Sequence, residues 1–129
     1  MRKILISFLT TASFAVVAET VPSAEQLFTS GDPAQVVIGY QHCGTAMLLL
    51  GNAASPSSPQ EGAGYIAIGQ RYGRLYRNAS DLRTEEKRSE SQAQITKVMQ
   101  TYAEMIGSDT RRKFFLNDVA FCQKWIKEN

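Results

Sequence analysis

Apolar side chains recur at steps of three and four over most of the chain beyond residue 31. This spacing places them on one face of an amphipathic helix, and no run alternates every second residue as a half-buried strand does. The four apolar stripes are Val36, Tyr40, Cys43, Met47 and Leu50; Tyr65, Ile68, Tyr72 and Leu75; Ile95, Val98, Met99, Tyr102, Met105 and Ile106; and Phe115, Val119, Cys122 and Ile126. We therefore predict an all-α domain over residues 32–129, built as a small four-helix bundle.

Capping residues indicate where these helices begin and end. Asp32 precedes Pro33, and Gln35 follows Asp32 by three positions, which is the arrangement of a capping box with proline at the first helical position. Ser58 before Pro59 predicts the start of the second helix in the same way. The other expected boundaries are a stop at Gly51-Asn52, a start near Asp81 or Thr84, a stop at Gly107 and a cap at Ser108-Asp109.

Four glycines interrupt the second predicted helix, at positions 62, 64, 69 and 73. A glycine inside a helix costs about 1 kcal/mol relative to alanine, so their number needs a reason. We expect the backbone of another helix to approach closely at these positions. A tight backbone site for a ligand is the alternative.

The first residues have the layout of a secretory signal peptide. Met1-Arg2-Lys3 is basic, residues 4–18 are mainly apolar, and Val16-Val17-Ala18 offers small residues for a signal peptidase. A transmembrane helix needs about 20 apolar residues, which is more than this run contains. We predict a cleaved signal peptide over 1–18, a flexible lead-in over 19–31, and a periplasmic or, alternatively, secreted protein.

Loss of that segment changes the charge balance. The whole chain carries 14 basic and 12 acidic residues, and Arg2 and Lys3 lie in the signal, which leaves 12 of each. Nucleic-acid binding needs many cations on one face to neutralise phosphates, so a neutral mature domain argues against it. The remaining residues, about 110 in number, suit a single domain with a modest core.

The two cysteines, Cys43 and Cys122, both lie in the mature part. In an oxidising compartment an even number of cysteines predicts a disulfide, and two cysteines allow only one pairing. A redox or metal pair is the alternative, but the chain has no C-x-x-C and a single histidine, His42. We predict a structural disulfide between the first and last helices.

No residue pattern predicts catalysis or a bound cofactor. General acid–base chemistry would depend on His42, for which a half-exposed structural role is the simpler expectation. Non-covalent haem would need His42 with a methionine such as Met47, and methionine at helical spacing is ordinarily core. Asp118 is the one carboxylate in an apolar neighbourhood and is expected to pair with a base. We predict no enzyme activity, no cofactor and no metal.

Arginines and tyrosines interleave along the second predicted helix. Arginine and tyrosine are residue types that anchor protein–protein interfaces. A second basic cluster opens the last helix, where positive charge opposes the helix dipole and calls for an acidic partner or an internal salt bridge. The candidate partner-binding residues are Arg71, Arg74, Arg77, Tyr72, Tyr76, Arg111 and Arg112. A merely solvated charged face is the alternative.

A cysteine in the first helix, Gly64-Tyr65-Ile66 in the second and a cysteine in the last resemble periplasmic immunity proteins. Those proteins neutralise amidase effectors of the type VI secretion system. The resemblance implies an inhibitor-like binder and assigns no residue a role.

Together these observations predict an exported, non-catalytic binding protein of inhibitor, immunity or secretion-accessory type. Its partner is expected to be another protein in the periplasm or outside the cell, and the oligomeric state stays open. A helical carrier of a small molecule or cofactor and a periplasmic stress chaperone are the alternatives.

Overall fold

A computed structural model describes residues 22–129 of the chain, which are helical with no strand among them. The predicted signal peptide therefore lies outside the described residues. The helices are α1 (Ala24–Phe28), α2 (Pro33–Ala54), α3 (Pro59–Ala79), α4 (Glu85–Ile106) and α5 (Arg112–Glu128). The all-α prediction and the disulfide are confirmed. The count of four helices was wrong, because a fifth, α1, lies in the segment expected to be a flexible lead-in.

The short helix α1 belongs to the core. Ser23 and Gln26 form a reciprocal capping box at its start, which was not recognised in the sequence. Ala24 and Leu27 are almost completely buried. The ring of Phe28 packs against four other aromatic rings, with Trp125 the nearest at 4.8 Å between centroids. Burial of these side chains stabilises a helix that would be too short to persist alone.

Helix α2 is the centre of the domain and contacts each of the other four helices. Its predicted N-cap is confirmed, since the Asp32 side chain accepts a hydrogen bond from the backbone nitrogen of Ala34 at 3.0 Å. Gln35 takes no part in that cap, so the box predicted there does not form. The helix also continues through Gly51 to Ala54. Residues 39 and 41–47 are all buried, because neighbouring helices surround this stretch of α2 on every side.

Helices α2 and α3 form an antiparallel hairpin that contains the largest interface in the domain. Glycines bring the two backbones together, since a β-carbon at Gly62 would lie 2.8 Å from the carbonyl oxygen of Gly51. A β-carbon at Gly69 would likewise lie 3.2 Å from the carbonyl oxygen of Gly44. The predicted close approach is therefore confirmed at these positions. At Gly64 it is not, because nothing lies within 4 Å of a β-carbon there, nor at Gly73, where a β-carbon would meet only the guanidinium of Arg77 on the same helix.

Helices α4 and α5 pack against α2 and against each other. The inward stripe of α5 is confirmed, with Phe115, Val119, Cys122 and Ile126 each no more than 6 % exposed. Helix α4 begins after Thr84, whose side chain caps Lys87. Its first three turns extend into solvent, and only Ser91 between residues 85 and 94 is part-buried. Further along, Tyr102 is the one fully buried side chain of α4.

The cysteines tie α2 to α5 across this core. Cys43 and Cys122 are both inaccessible to solvent, and their α-carbons lie 5.5 Å apart. The bridge joins positions 79 residues apart, so it closes most of the described chain into one loop.

The two contrasting glycines of α3 make a matched test of this packing. We expect Gly62→Ala to destabilise the protein, because the new methyl group would overlap Ser55 and the backbone of Gly51. Gly64→Ala should raise the free energy of unfolding by about 0.5–1 kcal/mol, since the methyl group enters open space and alanine favours the helix. Urea unfolding of both variants measures the difference, and equal effects would contradict the packing described for α3.

Candidate interaction surface

The face of α3 that points away from α2 is open to solvent along the whole helix. Its residues are all exposed and are referred to below as the outer face of α3. They are Gln60, Ala63, Gly64, Ala67, Gln70, Arg71, Arg74 and Asn78. The first half of this face carries only small side chains beside Gln60, and the second half carries the arginines. A partner could therefore approach the helix backbone closely at one end and meet positive charge at the other.

The three predicted arginines of α3 are exposed and lack a counter-charge in the described chain. None of Arg71, Arg74 and Arg77 forms an ion pair with a carboxylate of residues 22–129. Arg77 lies at the edge of the outer face, with one guanidinium nitrogen 3.4 Å from where a β-carbon of Gly73 would lie. Cations at a spacing of three repel one another along a helix, so this arrangement does not stabilise α3.

The two tyrosines proposed as interface residues, Tyr72 and Tyr76, are less accessible to a partner than the arginines are. Tyr72 is completely buried, and its hydroxyl donates a hydrogen bond to the carbonyl oxygen of Cys122 at 2.5 Å. Burial raises the pKa of this phenol. Tyr76 is half-buried, and its hydroxyl lies 2.8 Å from the hydroxyl of Ser91 on α4. Because both side chains hold α3 to its neighbours, they are structural and do not belong to the outer face.

Contacts within the protein account for Arg112 in the basic cluster at the start of α5. Arg112 donates a hydrogen bond to the carbonyl oxygen of Ile106 at 2.9 Å, at the end of α4. Its guanidinium also pairs with Asp109 at 3.2 Å. This is the internal salt bridge that the sequence left open, and it lets an arginine at a helix N-terminus bridge two helix ends. Arg111 is the part-buried N-cap residue and makes no side-chain capping bond.

His42 is buried and not half-exposed as expected. Its side chain is 5 % exposed, lies edge-on to the ring of Tyr102 at 6.1 Å, and its Nδ1 atom has no hydrogen-bond partner among residues 22–129. Desolvation lowers its pKa from 6.5 to about 4. The imidazole is therefore neutral at pH 7. Because it is enclosed in the core, it cannot reach a substrate in this conformation.

Asp118 has partners that the sequence did not reveal. Its carboxylate accepts a hydrogen bond from the hydroxyl of Tyr102 at 2.5 Å and one from the backbone nitrogen of Ala24 at 3.1 Å. Burial raises the pKa of this carboxyl, and the two hydrogen bonds oppose the shift. The expected base is not present among these partners. Asp118 instead joins α1, α4 and α5, which gives it a structural role.

Comparison with known proteins gives no information on the function of this surface. No family model matches the chain, and neither a curated protein nor a solved structure is similar to it. The resemblance to periplasmic immunity proteins thus stays a prediction. Within residues 22–129, no helix is long and apolar enough to cross a membrane, and no three histidine, cysteine or acidic side chains are grouped to hold a metal ion.

Proposed function

We propose that this protein is an extracytoplasmic, non-catalytic binding protein, and that its partner is a protein that contacts the outer face of α3. The observation that carries the proposal is the pair of exposed arginines, Arg71 and Arg74, without a counter-charge in the described chain. Arginines at the centre of an interface are among the residues that contribute most to binding.

The position of Gly64 also supports the outer face of α3 as the partner-binding surface. The other glycines between α2 and α3 let two backbones approach, whereas Gly64 faces open space and weakens its helix without a benefit to the fold. An incoming backbone would gain the same close approach there that α2 gains at Gly62. The partner is therefore expected to present carboxylates opposite Arg71 and Arg74 and a closely packed segment opposite Gly64.

An extracytoplasmic location is supported by the disulfide. Cys43 and Cys122 form a buried structural bridge, and such bridges persist mainly in oxidising compartments. The basic and apolar N-terminal residues point the same way. We infer that the protein acts in the periplasm, as an inhibitor, an immunity protein or a secretion accessory.

Capture from the periplasm of the native host tests the proposal. The protein would carry a C-terminal tag, and mild crosslinking followed by mass spectrometry would identify what it binds. We expect one stoichiometric partner that is lost when Arg71, Arg74 and Arg77 are each changed to glutamate. The exposed pair Lys124→Glu and Lys127→Glu on α5 serves as the control and should retain the partner.

Two results would overturn the proposal. The first is a partner that binds the triple arginine variant as well as it binds the wild type. The second is an empty capture at both neutral and acidic pH. Far-UV circular dichroism of each variant separates a lost contact from a lost fold.

A further inference from the structure

Helix α2 carries a stripe of buried polar side chains, two of which have a nitrogen atom without a hydrogen-bond partner. Gln41, His42 and Thr45 fall within an arc of about 100° around the helix, and each is at most 7 % exposed. Nε2 of Gln41 and Nδ1 of His42 have no partner among residues 22–129. A buried polar atom without a partner opposes folding, because it loses the hydrogen bonds that water would provide. These two groups therefore destabilise the packing around them.

Helix α4 covers this polar stripe of α2. The ring of Tyr102 on α4 lies edge-on to the imidazole of His42, with 6.1 Å between their centroids. Helix α3 contacts another side of α2, since Gly44 and Gly51 lie about 120° around the helix from the middle of the stripe. The bridge to α5 leaves from Cys43, about 150° away from it. Movement of α4 alone would therefore open the stripe to water.

Few buried contacts hold α4 in this position. Only Tyr102 among its 22 residues is fully buried, and its first three turns extend into solvent. Apart from the turn into α5, two side-chain hydrogen bonds join it to other helices of the described chain. One runs from the hydroxyl of Tyr102 to Asp118, and the other joins Tyr76 and Ser91. Helices held by so few buried contacts are the ones that open locally before a whole domain unfolds.

The other four helices are joined by contacts that do not involve α4. The disulfide joins α2 to α5, and the hydroxyl of Tyr72 on α3 donates a hydrogen bond to the carbonyl oxygen of Cys122 on α5. The ring of Phe28 on α1 packs against aromatic rings of α2, α3 and α5. Release of α4 would therefore leave a cross-linked core of four helices.

We propose that α4 detaches from α2 as a unit while the other four helices stay folded, and that acid promotes this opening by placing a proton on His42. Detachment brings water to Gln41 and His42, and it uncovers the side of α4 that carries Val98, Tyr102 and Met105. Acid would thus control which surface the protein presents. The inference does not depend on the proposed function, because the outer face of α3 is exposed whether or not α4 is attached.

The direction of the pH dependence follows from the surroundings of His42. Burial lowers the pKa of its imidazole from 6.5 to about 4. Tyr102 of α4 faces the imidazole, and Asp118 of α5 lies behind Tyr102. Tyr72 is the buried titratable residue of α3, and the buried residues of α1 do not titrate. Because water restores the ordinary pKa of His42 in the open state, His42 should shift the equilibrium toward that state about a hundredfold between about pH 7 and pH 4.

Native-state hydrogen exchange of the oxidised protein, followed by NMR, tests the opening. We expect the amides of residues 98–106 on α4 to exchange at least about tenfold faster than those of residues 43–47 on α2, after correction for intrinsic rates. The first turns of α4 are not used, because exposed helix ends fray in any case. One common opening constant for both segments would show that α4 unfolds only with the whole domain, and would overturn the inference.

The same measurement at a series of pH values tests the trigger. The opening constant of residues 98–106 should rise about a hundredfold from about pH 7 to pH 4 in the wild type. In His42→Leu this rise should be absent or reversed, because Asp118 has a raised pKa and acts in the opposite direction. A rise of the same size in the variant would contradict the role of His42 in the opening.

Gln41→Leu tests whether the opening uncovers the polar stripe. The variant removes an unpaired polar group, so exchange should slow by the same factor, roughly tenfold, in residues 98–106 and in residues 43–47. Tyr72→Phe is the matched control, because it removes a buried hydrogen bond that does not involve α4. It should speed exchange in residues 43–47 alone. If Gln41→Leu slowed exchange only in residues 43–47, the stripe would stay covered when α4 moves, and the inference would be wrong.

Discussion

Removal of the disulfide is expected to lower the free energy of unfolding by about 4 kcal/mol without changing the fold. In the chain-entropy model, a bridge that closes a loop of this length removes that much entropy from the unfolded chain. The bridge joins positions 79 residues apart, and both cysteines are fully buried. We expect Cys43→Ala with Cys122→Ala to lower the melting temperature by roughly 10–20 °C.

The control for this variant is the wild type under reducing conditions. Reduction breaks the same bond but leaves both sulfur atoms in the core. The comparison therefore separates the effect of losing the cross-link from the effect of losing the packing of the sulfur atoms. Far-UV circular dichroism below the melting transition should be unchanged in both, because the helices are held by the contacts of α2 with its neighbours. A double alanine variant as stable as the oxidised wild type would show that the bridge contributes nothing to stability.

Acid is expected to weaken the fold through His42. The pKa of His42 is lowered from 6.5 to about 4 in the folded protein, so the unfolded chain binds a proton more readily between these values. The resulting stabilisation is present above pH 6.5 and is lost as the pH falls through 4. The loss amounts to about 3 kcal/mol between about pH 7 and pH 4. Urea unfolding at a series of pH values measures it.

His42→Leu is the matched variant, since leucine has a similar volume and no titrating group. Its free energy of unfolding should vary much less across the same range. His42 is the only histidine of the chain, so no other imidazole contributes to the comparison. Asp118 acts with the opposite sign, because its raised pKa favours the folded state as the pH falls. Parallel pH profiles for the variant and the wild type would refute the role assigned to His42.

Local sequence signals predicted several features of single helices correctly. Two others were wrong, since α2 continues past the stop predicted at Gly51-Asn52, and the N-cap of α5 is Arg111 and not Ser108-Asp109. The apolar spacing located the inward stripe of α5, and Asp32, Thr84 and Gly107 marked helix ends that the structure confirms. These features depend on residues within one or two turns, so periodicity and capping chemistry are enough to recognise them. Helix α1 was not predicted, because five residues are too few to show a periodic pattern. Its capping box, Ser23 and Gln26, was nevertheless present in the sequence.

Local sequence signals did not predict which residues of the candidate site are accessible to a partner. Tyr72 and Arg71 are neighbours in the sequence, and both were assigned to one partner surface. Only the tertiary structure separates them, because α5 supplies the carbonyl oxygen of Cys122 that the Tyr72 hydroxyl needs. The same holds for Gly62 and Gly64, which differ only in whether α2 lies beside them.

The sequence by itself determined that this chain forms amphipathic helices and that its two cysteines pair, because helix periodicity is local and two cysteines allow one bridge. The tertiary structure alone decided which polar groups are enclosed and which charges remain without a partner. His42 is buried beside Tyr102, and Asp118 accepts a hydrogen bond from Ala24, 94 residues away. Burial and long-range hydrogen bonds depend on how whole helices pack, and no short stretch of residues contains that information.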